Sequence, residues 1–205
     1  LAGQYEDRKE YPIEPGTVDP REVIRTLEET VPTSVSLFTG SGVTAGFSNM
    51  MFSRPRPLVL PSHFFGCIGQ MMPAAMGAVV ATGNKPAMLV DGDASVMMHL
   101  AEFETMVRYN MPLLIVVMNN EALGSEYYKL DAHKMNAALA TIPTPDLGAV
   151  ARAFGGRGRL ARSAEDVRAA AAEGGAKPGP MMIDARIARS VVTLPYRRIH
   201  YGSDE

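Results

Sequence analysis

Short apolar runs without polar alternation are the feature that most restricts the fold of this sequence. The clearest are AMLVD at 87–91 and LLIVVM at 113–118, each of a length that suits one strand. A strand that is apolar on both faces needs cover on both faces, and parallel sheets flanked by helices provide it. The runs therefore predict an α/β fold built on a parallel sheet.

Strands and helices are predicted to alternate along the whole chain. The predicted strands are 34–40, 58–62, 87–91, 113–118, 157–161 and 180–187. The predicted helices are 19–31, 67–82, 95–110, 146–154 and a last helix that begins near Ser163. Asp19 followed by Pro20, and Ser163 followed by Asp166, are capping patterns that begin two of these helices. The expected architecture is three-layered, a six-stranded, mostly parallel sheet with helices on both faces.

The length of 205 residues suits one domain with a substantial core. Residues 1–16 are polar and contain prolines, so we expect an arm or linker there. The domain itself is predicted at 17–190, followed by a C-terminal tail at 191–205. Because the chain begins at Leu1 rather than methionine, we expect a fragment or a processed form of a longer polypeptide.

The composition of the sequence limits the binding partners and the cellular compartment that we expect. The formal net charge is -2, which provides no basic field for nucleic acid. The apolar runs are too short to cross a membrane. Cys67 is the only cysteine in this sequence, so it cannot form an internal disulfide, and no charged region here leads into an apolar signal segment. We therefore expect a cytoplasmic protein.

Polar side chains follow two of the predicted strands. Asp93 comes just after one strand, and Asn120 just after the next. A helical crossover returns the chain to the same edge of a parallel sheet, where ligands bind, so these residues are expected to lie side by side. A carboxylate and an amide oxygen form part of a Mg²⁺ site that waters and ligand phosphates complete. The backbone N–H groups of Ala94 and Ser95 open the next helix and are expected to receive the phosphate.

The same stretch resembles the thiamine diphosphate-binding motif, which begins Gly-Asp-Gly and ends Asn-Asn. Here Gly92-Asp93-Ala94 is followed by 24 residues and then by Asn119-Asn120. The run GCIGQMMPAAMGA at 66–78 is similar to the glycine-rich turn and helix of acetolactate synthases and related 2-oxoacid decarboxylases. The resemblance covers about residues 17–190 and implies the C-terminal, diphosphate-binding domain of that superfamily. Ala94 departs from the motif, because it puts a methyl group near the phosphate.

The resemblance implies roles for individual residues. Asp93 and Asn120 look like the side-chain ligands of Mg²⁺, and the carbonyl of Ala122 looks like the backbone ligand. Gly66 resembles the residue whose carbonyl receives the 4'-amino group of the aminopyrimidine, and Ile68 the apolar wedge that keeps the cofactor bent. The other candidate cofactor contacts are Thr39, Ser41, Gly92, Ala94, Ser95 and Ser125.

Glu126 and His63 are the candidate catalytic residues. In pyruvate-decarboxylase-like enzymes a glutamate at the position of Glu126 protonates the product of decarboxylation, whereas acetolactate synthases have an apolar residue there. The alternative for Glu126 is a solvated carboxylate at a helix start. His63 either faces the reacting carbon or is a hydrogen-bonded structural residue.

The implied function is the decarboxylation of a 2-oxoacid, or ligation of the resulting acyl group, on thiamine diphosphate. The superfamily activates this cofactor with a glutamate on a separate pyrimidine-binding domain, for which this chain has no strands left. We therefore expect an apolar face that pairs in a homo- or hetero-oligomer, and no activity without that domain or subunit. Two alternatives stay open: a catalytically silent cofactor-binding or scaffolding subunit, and a haloacid-dehalogenase-type phosphatase, whose Asp-x-Asp motif LVDGDAS resembles.

Overall fold

A computed structural model describes residues 7–62 and 65–202 of the chain. Its strands form one sheet in the order β2-β1-β3-β4-β6-β5, and every neighbouring pair is parallel. The strands are β1 (Ser36–Thr39), β2 (Val59–Pro61), β3 (Ala87–Gly92), β4 (Leu113–Asn119), β5 (Arg157–Ala161) and β6 (Met181–Arg186). The predicted α/β class is thus confirmed, and the sheet is wholly rather than mostly parallel.

Helices connect the strands on both sides of the sheet. They are α1 (Pro20–Thr30), α2 (Val43–Met51), α3 (Met71–Ala81), α4 (Asp93–Met97), α5 (Glu102–Arg108), α6 (Gly124–Ala132), α7 (Leu147–Ala153), α8 (Ala164–Ala176) and α9 (Leu194–Tyr196). A 3₁₀ turn spans Ala137–Ala140, and a π-helical turn, Arg197–Tyr201, continues α9.

The structure corrects the prediction in two places. Helices α2 and α6 were not among the predicted helices, because Gly42 and Leu123 begin them without a capping side chain, although the alternative for Glu126 placed that residue at a helix start. The predicted helix 95–110 is two helices, since the chain between α4 and α5 forms shorter-range bonds such as His99 N–H to the Val96 carbonyl (3.2 Å).

Two apolar cores lie on opposite faces of the sheet. Met88 and Val90 of β3 face the core shared with α1, α2 and α8. Leu89 of the same strand faces the core shared with α3, α5 and α7. Successive strand residues point to opposite faces, so both sets are apolar because helices cover both. This explains why the strand runs carry no polar alternation, and it confirms the three layers.

The segments at both ends pack against the domain. Asp7 lies 3.4 Å from Arg197, and the Tyr11 hydroxyl lies 3.1 Å from the Val192 carbonyl, within hydrogen-bond distance. Val191 and Thr193 are almost wholly buried. Residues 7–16 and 191–201 thus continue the packed structure. Within 7–62 and 65–202, no helix has the length and apolarity that crossing a membrane requires.

The strand order locates the place where a ligand is expected. From β1 the chain moves outward to β2, then returns past β1 to form β3 and continues to β4 on the other side. In such sheets the loops that follow the two strands on either side of the reversal run in opposite directions and leave a crevice at the carboxyl ends of the strands. The reversal lies between β1 and β3, so the loops after these strands border it.

Candidate functional site

A small cleft opens at the carboxyl ends of β1, β3 and β4. Among the predicted site residues that the structure describes, all line it except Thr39 and Gly66. Those that line it are Ser41, Ile68, Gly92, Asp93, Ala94, Ser95, Asn120, Ala122, Ser125 and Glu126. The topology therefore gathers residues that are up to 85 positions apart in the sequence, from Ser41 to Glu126.

These two residues lie outside the cleft for different reasons, and a third predicted residue is not described. Thr39 is buried within β1, and its hydroxyl donates to Asn49 Oδ1 (2.6 Å), which ties β1 to α2. Gly66 lies in an exposed turn with φ 61° and does not border the cleft. His63 lies outside the described residues.

Asp93 has the environment of a cation ligand. Its side chain is 2% exposed, and its Oδ2 atom accepts no hydrogen bond from the part of the chain that the structure describes. Burial raises the pKa of Asp93 to about 7, although hydrogen bonds from the N–H groups of Ala94 and Ala122 lower it. A cation at Oδ2 would compensate the buried charge.

Asn120 borders the cleft from the end of the neighbouring strand. Its Oδ1 atom accepts the N–H of Ala122 at 3.2 Å, which fixes the amide plane. A Cβ atom on Gly124 would lie 2.9 Å from Asn120 Nδ2, so this approach requires glycine. The preceding Asn119 has a different role, because its Nδ2 atom donates to Asp184 and Thr144 (both 2.8 Å) inside the fold.

Asp91 also borders the cleft, which the sequence did not predict. It is 1% exposed, and burial raises its pKa to about 6, against hydrogen bonds from Ser95 and Gly92. The Ser95 hydroxyl donates to Asp91 Oδ2 at 2.5 Å and accepts the N–H of Gly69 at 2.8 Å. Asp91 and Ser95 therefore anchor the loop that places Ile68 at the cleft.

Two helices of nine residues each begin at the cleft. Helix α2 starts after Gly42 and α6 after Leu123, both without a capping side chain. Helix N-termini present N–H groups that no carbonyl within the helix accepts, and they carry a partial positive charge. Their position favours an anionic ligand. The sequence carries one indirect sign of α2, the run Gly40-Ser41-Gly42 directly after a strand, although no side chain caps the helix.

Glu126 lies at the rim of the cleft on the first turn of α6. Its side chain is 54% exposed, and Oε1 lies 3.8 Å from Lys129 Nζ. The carboxylate thus reaches both the cleft and solvent. The neighbouring Ser125 is half-buried, and its Oγ lies 2.5 Å from the hydroxyl of Tyr196.

The fold and the cleft define a parallel α/β domain. Within the described residues, its cleft combines helix N-termini with a buried carboxylate oxygen, Asp93 Oδ2, that accepts no hydrogen bond. The sequence matches the family described as thiamine pyrophosphate enzyme, C-terminal TPP binding domain, over residues 40–185. The chain belongs to this family, which agrees with the resemblance in its motifs. Family membership also removes the phosphatase alternative.

Relatives of known activity are similar to this chain over part of their length. Sulfoacetaldehyde acetyltransferase of Alcaligenes xylosoxydans xylosoxydans is 30% identical over 72% of this chain and 25% of its own length. The mitochondrial acetolactate synthase catalytic subunit of Saccharomyces cerevisiae is 28% identical over 97% of this chain and 30% of its own. The chain thus spans about a quarter to a third of the curated relatives it matches.

A solved structure supports the fold. The thiamine diphosphate-dependent 4-hydroxybenzoylformate decarboxylase of Rhodococcus jostii RHA1 superimposes with a TM-score of 0.77 at 20% identity. The superposition covers 90% of this chain and 35% of that one. The shared feature at this level of identity is the architecture of the domain.

Proposed function

We propose that this chain binds thiamine diphosphate with Mg²⁺ in the cleft, as the diphosphate-binding part of a 2-oxoacid decarboxylase or acyl-ligating enzyme. The observation that carries the proposal is the unsatisfied Oδ2 atom of buried Asp93, beside Asn120, where the strand order reverses. A buried carboxylate oxygen that accepts no hydrogen bond is costly, and a cation bound to that oxygen offsets the cost.

The residues present fit a magnesium ion that a ligand helps to hold. Asp93 and Asn120 would supply side-chain oxygens, and Ala122 its carbonyl oxygen. Among the described residues no group of three or more His, Cys, Asp or Glu forms a metal site. One carboxylate and two neutral oxygens suit Mg²⁺, which completes its six positions with waters and phosphate oxygens.

The cleft also fits a diphosphate. The N-termini of α2 and α6 supply backbone donors. The Ser41 hydroxyl is buried at the cleft, and its oxygen has no hydrogen-bond partner in the described structure. Buried polar atoms are normally paired, so Ser41 is the natural donor for a phosphate oxygen. Helix α4 begins at the same place, where the methyl group of Ala94 must be accommodated.

Glu126 is the residue we assign to proton transfer. When bound, thiamine diphosphate supplies the electron sink for decarboxylation, and the protein supplies placement and proton movement. Glu126 is the carboxylate that borders the cleft with half its side chain in solvent, so it can exchange protons with water and deliver them inside. Ile68 borders the same space as an apolar wall.

The chain is proposed to need a pyrimidine-binding domain for activity. The glutamates near the site have other positions or partners: Glu121 is paired with Arg186 at 2.7 Å, and Glu102 and Glu104 lie on α5. Exposed apolar side chains offer a docking face. They lie on and near β2, in the loop that follows β2, and at the end of α4. They are Leu58, Val59, Phe65, Ile68, Met97 and Met98.

Calorimetric titration tests the cofactor and metal assignment. The parent chain is expected to bind thiamine diphosphate in Mg²⁺ and to lose affinity in EDTA. Asp93→Ala should abolish the magnesium dependence while circular dichroism shows an intact fold. Glu165→Ala is the matched control, because it removes an exposed carboxylate on α8 that does not border the cleft. Retained magnesium-dependent affinity in Asp93→Ala would contradict the assignment.

Turnover of a panel of 2-oxoacids tests the requirement for a partner. The chain with saturating thiamine diphosphate and Mg²⁺ is expected to be inactive, and to gain activity when a pyrimidine-binding domain is added. Robust turnover without any partner would show that another residue activates the cofactor.

A further inference from the structure

The C-terminal segment Arg189–Tyr201, here called the C-terminal clamp, lies along the whole of α6. Hydrogen bonds of three tyrosine side chains join the described parts of the two elements. They are Tyr128 hydroxyl to the Arg189 carbonyl (2.8 Å), Tyr196 hydroxyl with Ser125 Oγ (2.5 Å) and Tyr201 hydroxyl to Asp131 Oδ2 (2.8 Å). The clamp follows the region that defines the family match, residues 40–185.

The clamp is itself firmly anchored. Thr193 is 1% exposed and touches α2, where a Cβ atom on Gly46 would lie 2.9 Å from it. Arg197 is buried, donates to the Tyr11 hydroxyl and pairs with Asp7 at 3.4 Å. Tyr196 lies between these two anchors. The position of Tyr196 in the domain is therefore fixed by the packing of Thr193 before it and Arg197 after it.

The contact between Tyr196 and Ser125 has a preferred direction. A phenol is a stronger acid than an alkyl alcohol, so Tyr196 is the better donor and Ser125 the better acceptor. An ordinary tyrosine is protonated at neutral pH, and burial raises the pKa of Tyr196 further, so its hydroxyl keeps the hydrogen it donates. When Tyr196 donates, the hydrogen of the Ser125 hydroxyl is left for the cleft that Ser125 lines. Consecutive hydrogen bonds also polarise one another, which strengthens the second donor.

We propose that Tyr196 is a positioning residue that holds the first turn of α6 and orients the Ser125 hydroxyl to donate to a phosphate oxygen in the cleft. The proposal rests on the proposed function for the identity of the anion. It assigns a role in cofactor binding to an element beyond the matched family region. Tyr196 acts through Ser125 and does not border the cleft itself.

The test compares two tyrosine hydroxyls on the same clamp. Tyr196→Phe removes the contact at the cleft end of α6, and Tyr201→Phe removes the contact at its far end. Ser125→Ala and the double variant Ser125→Ala with Tyr196→Phe complete a double-mutant cycle. Calorimetry with saturating Mg²⁺ measures the affinity for thiamine diphosphate and, separately, for inorganic pyrophosphate, which isolates the phosphate end.

Tyr196→Phe and Ser125→Ala are each expected to weaken both ligands by about three- to tenfold, the effect of one hydrogen bond. The double variant should bind no more weakly than Ser125→Ala, because Tyr196 acts through the serine. Tyr201→Phe should bind like the parent. Equal losses of affinity in Tyr196→Phe and Tyr201→Phe would show that the clamp has only a structural role. Parent-like affinity of Tyr196→Phe would overturn the proposal.

Hydrogen exchange on the ligand-free chain tests the positioning independently. Tyr196→Phe should speed exchange of the Tyr127 amide, which bonds to the Leu123 carbonyl in the first turn (2.8 Å). Tyr201→Phe should instead affect the His133 amide, which bonds to the Lys129 carbonyl (3.1 Å). The same exchange pattern in both variants would refute the positioning role. Failure of the parent to bind either ligand would refute the proposed function and the phosphate contact, while exchange would still decide the positioning.

Discussion

Replacing Gly40 with alanine would place a methyl group inside the Asp91 carboxyl group. An ideal Cβ at Gly40 lies 1.7 Å from Asp91 Oδ1 and 2.3 Å from its Cγ. Asp91 is buried and bonded to Ser95 and to the N–H of Gly92, so it cannot swing into solvent. Relief of the overlap must shift the loop after β1 or break these bonds.

The expected cost follows from these two effects. Overpacking of a tight site costs about 1–3 kcal/mol. Each hydrogen bond lost from Asp91 adds about 1 kcal/mol. We therefore expect Gly40→Ala to lower the free energy of unfolding by about 3 kcal/mol, or the melting temperature by about 10 °C for a chain of this size.

Urea unfolding, monitored by circular dichroism, measures this loss of stability. The m-value should be unchanged. Gly77→Ala is the matched control, since its Cβ would meet nothing within 4 Å and alanine favours the α3 helix. It should be neutral or stabilising by up to about 1 kcal/mol. In an Asp91→Ala background the cost of Gly40→Ala should largely vanish, because the clashing atoms are gone. A loss below about 1 kcal/mol, or the same loss with and without Asp91, would refute the reasoning.

Three further changes probe the site, the core and a helix start. Glu126→Gln, assayed with a pyrimidine-binding domain present, should slow aldehyde release at least about tenfold while cofactor affinity stays unchanged; equal release rates would exclude the proton-transfer role. Ile115→Ala empties a wholly buried site in β4 and should cost about 2–5 kcal/mol in urea unfolding, against about 1 kcal/mol for Ile115→Val. Asp146→Ala removes the cap that accepts the Ala149 N–H (2.8 Å) at α7 and should cost about 1 kcal/mol, with no change in ligand affinity.

The strands were predictable because each buried strand needs a run of apolar residues. The predicted spans 87–91 and 113–118 lie within β3 and β4 as observed. Helices with capping residues were equally visible: Asp19 accepts the Arg21 N–H at 2.8 Å at the start of α1. Such signals are local, because a cap or a buried run acts on its immediate neighbours.

The uncapped helices were less visible for the same reason. Helices α2 and α6 begin at Gly42 and Leu123, which provide no side-chain acceptor. A helix whose N-terminus faces a ligand site leaves its donors open, so the usual sequence signal of a start is missing there.

The sequence by itself determined the α/β class, the approximate strands and ten of the residues that border the cleft, since these depend on composition and short spacing. Only the tertiary structure decided that Thr39 bonds to α2, that Asp91 is buried beneath Gly40 and that Tyr196 reaches Ser125. Such contacts join positions far apart in the chain, and their partners are set by strand order and helix packing. Strand order and helix packing cannot be predicted from local propensity, because both arise when the whole domain buries its apolar surface together.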